Sequence, residues 1–525
     1  MKNFSSISSD YIKHEYIKTN SIFKKQYQTS AATQSLDKNL LVVLPTGTGK
    51  TVIMLLLIAD LLSLDENRKI LIMAPTRPLI KQHFDFIQRH LLYESKKLIW
   101  LTGKTISSNR KYKWMNANIF FATPQVVRND LLSGILSLED FDLVVFDEAH
   151  RAVKDYAYTK ISYLIRNYKT IRRLALTASP GNKQRIKEIS ENLGLDSSII
   201  KTRESHDIQV HLQELSSELI EIQKDAVLDH SLNLLQQEAE SLIQKIKTSM
   251  GYVHLNPKML SYVKLNIIKN QVEKKFWKGE ISSNQIWMLR KSLSALTKLD
   301  RLMEYLECYS YHSFLNFVDR IKLRSNKSRN NVDKWILKTS SLQESKLLIE
   351  NSLTTGMNHP KIEKLIAILV KEISNGSRAL VFVGLRDVAL EIRDMLIDQG
   401  LSPGILIGQS KKSGSGMDQN EQIEAISSFS SGNLNPLIAT QVGEEGLDIS
   451  ECNLVIFYDQ PVSAIRRIQR TGRTGRTKPG KAIFLIIKGG RDEIKYWAGL
   501  KKEKSLHKIG NTKHVSASSL TDFME

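Results

Sequence analysis

Short, uninterrupted apolar runs alternate with amphipathic stretches over two long parts of the chain, and the part between them lacks such runs. From about residue 38 to 205 the runs are Leu40–Leu44, Ile70–Met73, Ile119–Phe121, Leu143–Phe146 and Leu174–Leu176. They are rich in Val, Ile and Leu and show little alternation, which is how strands covered on both faces of a parallel sheet read. Helical periodicity fills the gaps, as in Val52–Leu62 and Leu79–Leu92, so this segment predicts βαβ units. Between 206 and 350 the period becomes helical almost throughout, as in Leu212–Ile246 and Gln285–Tyr309. From 351 onward the strand–helix alternation returns, with runs at Ala379–Val383, Leu437–Ala439, Leu454–Tyr458 and Ala482–Ile487. A Gly/Ser/Lys stretch at 411–417 predicts a flexible break. The expectation is an α/β protein with two parallel-sheet domains, 1–205 and 351–510. An all-helical domain, 206–350, lies between them, and a polar tail, 511–525, follows.

Composition sharpens this picture. A chain of 525 residues exceeds one ordinary core, and 41% hydrophobic with 25% charged residues is enough to bury several. Lys plus Arg number 75 against 55 acidic residues, a formal charge of +20, which points to a polyanionic partner. Residues 251–350 hold 18 Lys/Arg and 9 Asp/Glu, net +9, whereas the chain averages about +4 per hundred, so the basic charge concentrates in the helical segment. Phe276, Trp277, Trp287, Tyr309 and Tyr311 lie among these lysines. Their helical spacing makes core packing the first expectation and stacking on bases the alternative. Two distant cysteines, Cys308 and Cys452, exclude a disulfide framework and a Cys-rich metal site and fit an intracellular, reducing compartment. The N-terminus carries no long apolar run, and no stretch approaches the length of a membrane span.

The candidate chemistry begins where Leu40–Leu44 runs into Pro45-Thr46-Gly47-Thr48-Gly49-Lys50-Thr51 and then a helix. Glycines let backbone N–H groups wrap phosphates, and the helix N-terminus adds positive potential. Lys50 is placed to contact the β- and γ-phosphates and Thr51 to ligate Mg²⁺; Leu44 stands where the general phosphate-loop pattern has its first glycine. Ninety-seven residues after Lys50, the apolar run Leu143–Phe146 ends in Asp147 and Glu148. Two carboxylates at the C-terminal end of a buried strand lie where α/β ligand crevices form. Asp147 suits Mg²⁺, and Glu148 suits orienting and deprotonating an attacking water. In the second α/β segment, Gln469-Arg470-Thr471-Gly472-Arg473-Thr474-Gly475-Arg476 offers two arginines, Arg473 and Arg476, able to share a helix face and reach a γ-phosphate across a cleft.

The series LPTGTGKT, APTRPLIKQH, ATPQVV, DEAH, LTASPG, VFVGLRDVA, ATQVGEEGLDI and QRTGRTGR, spanning residues 44–476, resembles the motif series of superfamily 2 helicases. That resemblance implies two RecA-like motor domains that use ATP and Mg²⁺ to move along nucleic acid. The phrases from His359 to Leu365 and from Val455 to Asp459, with the helical insertion, are similar to archaeal Hef and the Fanconi-anaemia M / Mph translocases. This narrower resemblance implies forked or branched DNA as the partner. The chain shows no ERK-type nuclease signature, so no nuclease activity is expected of it.

Carried onto this sequence, the resemblance implies that Gln28, after Tyr27, hydrogen-bonds adenine; Lys25 stands two positions before Tyr27, where Arg is usual. Thr76, Arg77 and Gln82, and Thr123 and Pro124, would grip the strand backbone, as would Gly384, Arg386, Thr440, Gln441 and Gly443 of the second motor. His150, Thr177 and Ser179 would couple nucleotide state to grip. Gly446 and Asp448 would face the nucleotide, and Gln469, Arg473 and Arg476 would complete the catalytic set with Lys50, Asp147 and Glu148. The tail Ser519–Met524 resembles a sliding-clamp-binding segment, although Ala517 replaces its Gln and Met524 its second aromatic; a plain terminus is the alternative. A nucleoid-associated location follows from a DNA partner. Two rival readings remain: an RNA-directed superfamily 2 ATPase, and a scaffold that binds nucleic acid and hydrolyses ATP poorly.

Overall fold

The computed structural model describes residues 11–103, 105–168, 170–178, 181–211, 213–251, 254–258, 260–327, 331–408, 416–440, 449, 452–461, 463, 467, 470, 471, 474 and 479–510. Most of the 411–417 break and the whole 511–525 tail, with its clamp-like segment, lie outside the described residues.

Two parallel sheets organise the molecule, as the two groups of apolar runs predict. The first contains β1 (Leu40–Val43), β2 (Lys69–Met73), β3 (Leu98–Leu101), β4 (Ile119–Ala122), β5 (Phe141–Asp147), β6 (Arg172–Thr177) and β7 (Ser197–Ile200), in the order β3-β4-β2-β5-β6-β1-β7. Side chains of successive residues point to opposite faces of a strand. Leu40 and Val42 of β1 therefore enter one core and Leu41 and Val43 the other, and both faces are sealed by helices. The second sheet contains β8 (Leu215–Ile222), β9 (Ala379–Phe382), β10 (Gly404–Leu406), β11 (Leu437–Ala439), β12 (Leu454–Phe457) and β13 (Gly480–Ile487), ordered β10-β11-β9-β12-β13-β8.

One expectation requires correction. The segment 206–350 is not all-helical: β8 lies within it and pairs in parallel with β13 along its full length, from Leu215 opposite Gly480 to Ile222 opposite Ile487. Its sequence, LSSELIEI, is too polar to read as a strand buried on both faces, because it forms an edge of the sheet. The helical insertion therefore sits inside the second α/β domain, between its first and second strands. Long helices Ala226–Met250, Tyr262–Trp277, Ser283–Glu304 and Tyr311–Lys327 build it, with a π-helical turn at Tyr305–Tyr309. A single core runs from Leu228 through Leu302 and Phe314 to Ile456 and Leu485, so the insertion and one face of the second sheet share their apolar interior.

The seam between them also holds buried charge. Lys361, fully buried, pairs with Asp492, donates to the Cys308 carbonyl at 3.0 Å, and lies 4.7 Å from the centre of the Tyr458 ring. Arg491 reaches Asp300 at 2.7 Å and Glu307 at 3.5 Å in the same region. Cys308 and Cys452 are both free and buried. Among the described residues no helix is long and apolar enough to cross a membrane.

Candidate nucleotide and strand site

The chemistry collects at the C-terminal edge of the first sheet. After β1 the chain turns through Gly47 (φ 79°) and Gly49 (φ 82°), and helix α2 (Lys50–Leu64) starts at once. Both glycines occupy left-handed conformations that other residues adopt only at a cost of about 1–2 kcal/mol. Gly49 is constrained twice, because a Cβ there would overlap the Gln28 amide. Thr48 Oγ1 donates to the Pro45 carbonyl at 2.7 Å, closing the loop on itself. Lys50 Nζ donates to the carbonyl of Leu44 at 3.2 Å. Leu44 itself is buried, so its side chain serves the core while its backbone serves the loop.

Helix α1 (Gln26–Asp37) lies over this loop. Tyr27 Oη and Gln28 Nε2 both donate to the Thr48 carbonyl, at 2.7 and 2.9 Å. Burial pushes the Tyr27 hydroxyl's pKa up, so it stays a donor. Gln28 is buried, and its Oε1 has no hydrogen-bond partner. An unsatisfied buried acceptor costs about 1–3 kcal/mol, and the amino group of an adenine base is a donor that fits it. The glycine cradle, the helix N-terminus and this acceptor together suit ATP, and the Thr51 hydroxyl and the Asp147 carboxylate are hard oxygen ligands of the kind Mg²⁺ takes.

Asp147 ends β5 and is buried. Its Oδ2 lies 2.7 Å from Nε2 of His83, which is also buried, on helix α3 (Arg77–His90). Burial alone raises a carboxyl pKa. Here His83, the Lys50 charge and the Glu148 backbone N–H outweigh burial and hold Asp147 below the ordinary carboxylate range. Tyr158 Oη lies 2.7 Å from the Asp147 carbonyl and 3.1 Å from that of Met73, pinning the ends of β5 and β2 together. Glu148 then adopts φ 50°, ψ 49°, a left-handed conformation in a non-glycine residue that turns the chain sharply off the strand. His150 Nδ1 sits 3.2 Å from Glu148 Oε2 and 3.2 Å from Thr177 Oγ1, at the end of β6. The structure thus brings Gln28, Lys50, Asp147, Glu148, His150 and Thr177 to one edge. His83 and Tyr158 belong with them, and sequence reasoning missed both.

The expected strand contacts occupy neighbouring loops. Thr76 caps α3 by accepting from the Leu79 N–H at 3.4 Å, Arg77 opens the helix, and Gln82 is exposed on it. Thr123 and Pro124 begin the helix Pro124–Leu132 and are both buried, so any contact they make there runs through the backbone. Both helix N-termini lie beyond the C-terminal ends of β2 and β4, where they favour phosphate.

In the second sheet Gly384 follows β9, and a Cβ there would come within 2.9 Å of Asp459 Oδ2 and 3.1 Å of Tyr309 Oη. Arg386 Nη2 donates to the Gly408 carbonyl at 2.6 Å, and Thr440 Oγ1 to that of Leu406 at 3.4 Å. Arg470 is buried against the Phe382 ring at 4.9 Å; Arg467 lies 4.0 Å from Phe484 and 4.7 Å from Tyr496 and pairs with Glu503 at 2.7 Å. Ser179, Gln441, Gly443, Gly446, Asp448, Gln469, Arg473 and Arg476 lie outside the described residues.

On the insertion, core packing holds for some of the aromatic residues and fails for others. Tyr311 is fully buried and donates to Asp225 at 2.8 Å, while Phe276 and Tyr309 are half-buried. Trp277 is 81% exposed and Trp287 59%, values incompatible with a core role. Lys291 sits 5.3 Å from the Trp287 ring centre and 5.9 Å from that of Trp335.

A glycine phosphate loop answered by buried Asp147 at a strand end and by Glu148 just after it, on the first of two RecA-like sheets, is the arrangement of a superfamily 2 helicase. Residues 25–188 match the DEAD/DEAH box helicase family and residues 360–478 the helicase conserved C-terminal domain. The crystal structure of the Pyrococcus furiosus Hef helicase domain superposes with a TM-score of 0.69 at 31% identity, covering 90% of this chain and 98% of that one. A Methanocaldococcus jannaschii protein named "Putative ATP-dependent RNA helicase MJ1505" is 32% identical over 95% of this chain and 62% of its own length. The ATP-dependent DNA helicase mph1 of Aspergillus oryzae is 31% identical over 89% of this chain and 44% of its own. The chain belongs to the Hef/Mph1-like family of superfamily 2 helicases. It spans 62% and 44% of the lengths of these two relatives.

Proposed function

We propose that this chain is an ATP-dependent DNA translocase that acts on forked or branched DNA in repair or stalled-fork processing. The observation that carries the substrate reading is the pair of exposed tryptophans, Trp277 and Trp287, on the net-basic helical insertion. Exposed aromatic rings among lysines are a stacking platform beside an electrostatic track, and a branch point offers unpaired bases next to duplex phosphates.

The motor cycle follows from the site. Lys50 and the N-terminus of α2 hold the phosphates, Gln28 reads the adenine edge, and Thr51 with Asp147 holds Mg²⁺. ATP supplies the phosphoanhydride whose cleavage drives the cycle, and Mg²⁺ held by Thr51 and Asp147 would offset its phosphate charge. Glu148 orients and deprotonates the attacking water, and Gln469, Arg473 and Arg476 reach the γ-phosphate from the second domain, with Gly446 and Asp448 beside the nucleotide. Lys50 and the arginines are drawn to one phosphate group, which favours closure; after cleavage they no longer share it, and the domains part. The contact from His150 to Thr177 links the Glu148 turn to the end of β6, and with Ser179 it passes that change to the strand-gripping loops. Thr76, Arg77, Gln82, Thr123 and Pro124 grip on one side and Gly384, Arg386, Thr440 and Gln441 on the other. We place the protein with DNA inside the cell.

The test is binding to a synthetic DNA fork, a linear duplex of equal length and the matching RNA fork, for the wild type and for Trp277→Ala/Trp287→Ala. The reading expects a preference for the DNA fork that the double variant loses. A preference for the RNA fork would move the chain to the RNA-directed reading, which the printed name of the Methanocaldococcus relative favours. Equal binding to fork and duplex by the wild type would remove the branch-specific part.

A further inference from the structure

Helix α3 buries Ile80, His83, Phe84 and Ile87. These positions form one stripe at helical spacing, facing the first sheet. His83 is the polar member of that stripe, and burying an imidazole in an apolar interface is unfavourable unless it is hydrogen-bonded. Its Nδ1 is buried without a partner, so the ring is held by Nε2 alone, 2.7 Å from Asp147 Oδ2.

The backbone of Asp147 is fixed separately. Its carbonyl accepts from Tyr158 at 2.7 Å, and β5 is paired on both sides, with β2 and with β6. What remains free in Asp147 is rotation of the carboxylate, and His83 is the side chain that stops it. A carboxylate with one oxygen held by His83 offers the other in a set direction, which Mg²⁺, with its strict octahedral demand, requires. Groups that orient a metal-binding residue in this way typically contribute about 10–100-fold in metal affinity.

We infer that His83 is a positioning residue for the reaction: it fixes the Asp147 carboxylate for Mg²⁺ without touching metal or nucleotide itself. This rests on the proposed reading of Asp147 as a metal-binding residue. Because α3 opens with Thr76 and Arg77 and carries His83 further along, one rigid helix spans from the expected strand contacts to the metal carboxylate.

The experiment measures binding of a mant-labelled ADP to the full chain with and without Mg²⁺, for the wild type, His83→Leu, His83→Gln and Asp147→Asn, with a thermal melt of each. His83→Leu is expected to lower the apparent Mg²⁺ affinity by about 10-fold or more while leaving Mg²⁺-free binding unchanged. His83→Gln, whose amide can donate from a similar position, should recover most of it. Should the leucine variant fail to fold, His83→Met, unbranched and adaptable, takes its place. The inference is overturned if the leucine or methionine variant keeps the full Mg²⁺ gain while Asp147→Asn loses it; the metal reading of Asp147 then stands. It is also overturned if glutamine fails to recover what leucine loses. If Asp147→Asn keeps the Mg²⁺ gain, the metal reading falls and takes the inference with it.

Discussion

The two sheets are built to one plan, but one keeps a buried polar cluster at an open edge and the other keeps one in a sealed seam. In the first, each face has its own core, and Gln28, His83, Asp147 and His150 are buried at the C-terminal edge, while Asp130 and Arg173 are buried away from it with partners inside the protein. In the second, one face shares its core with the insertion, and Lys361, Asp492, Arg491 and Glu307 are buried in the seam between them, with Arg467 and Arg470 buried on the opposite face. Charge at an open edge is available to a ligand. Charge sealed in a seam, with its partners supplied by the protein, serves geometry instead, and here it ties the insertion to the second domain.

The sharpest way to break this contrast is at the seam. Lys361→Ala leaves Asp492 buried without its partner, and breaking such a pair costs about 3–5 kcal/mol. Urea unfolding should show that loss, whereas the double change Lys361→Met/Asp492→Leu should recover most of it; an unaltered Lys361→Ala protein would mean that the seam charge is idle. The reverse holds at the edge. Glu148→Gln should lower ATP turnover about 10²-fold or more while urea stability changes little. A smaller effect is expected on the insertion: Trp277→Ala and Trp287→Ala should each cost about 1–3 kcal/mol in fork affinity, read by fluorescence anisotropy, with no loss of melting temperature because both rings are exposed. Smaller still, Gln28→Ala should erode the preference for ATP over GTP, measured as a ratio of kcat/KM values, since the lost contact is one hydrogen bond of about 0.5–1.5 kcal/mol.

The strands that the sequence revealed and those it hid divide on a physical line. The apolar runs located β1, β2, β4, β5 and β6, and β9, β11, β12 and β13, all interior strands. The four that escaped, β3, β7, β8 and β10, are the edges of the two sheets. An edge strand is half open, so the serines of β7 and the glutamates of β8 break the continuous apolar signal, whereas β3 (LIWL) is apolar throughout and was missed although its run is intact. Missing β8 is also why the insertion read as a separate domain. At the site, the phosphate loop and the Asp-Glu strand end were legible because their chemistry needs fixed local spacing. His83 and Tyr158 were not, because they act through contacts across 64 residues of sequence for His83 and 85 and 11 for Tyr158, which no local pattern marks. The exposure of Trp277 and Trp287 was hidden for a related reason. Helical spacing shows that residues share a face, and only the packed neighbours decide whether that face is covered.

The central claim is that the edge site and the basic insertion belong to one nucleic-acid-driven ATPase. Its most direct test is the steady-state ATPase rate with no nucleic acid, single-stranded DNA, duplex DNA, a synthetic fork and matched RNAs, with Glu148→Gln as the blank. The account predicts strong stimulation, greatest with forked DNA and lost in the blank. Stimulation by RNA alone, or by no nucleic acid at all, would contradict it.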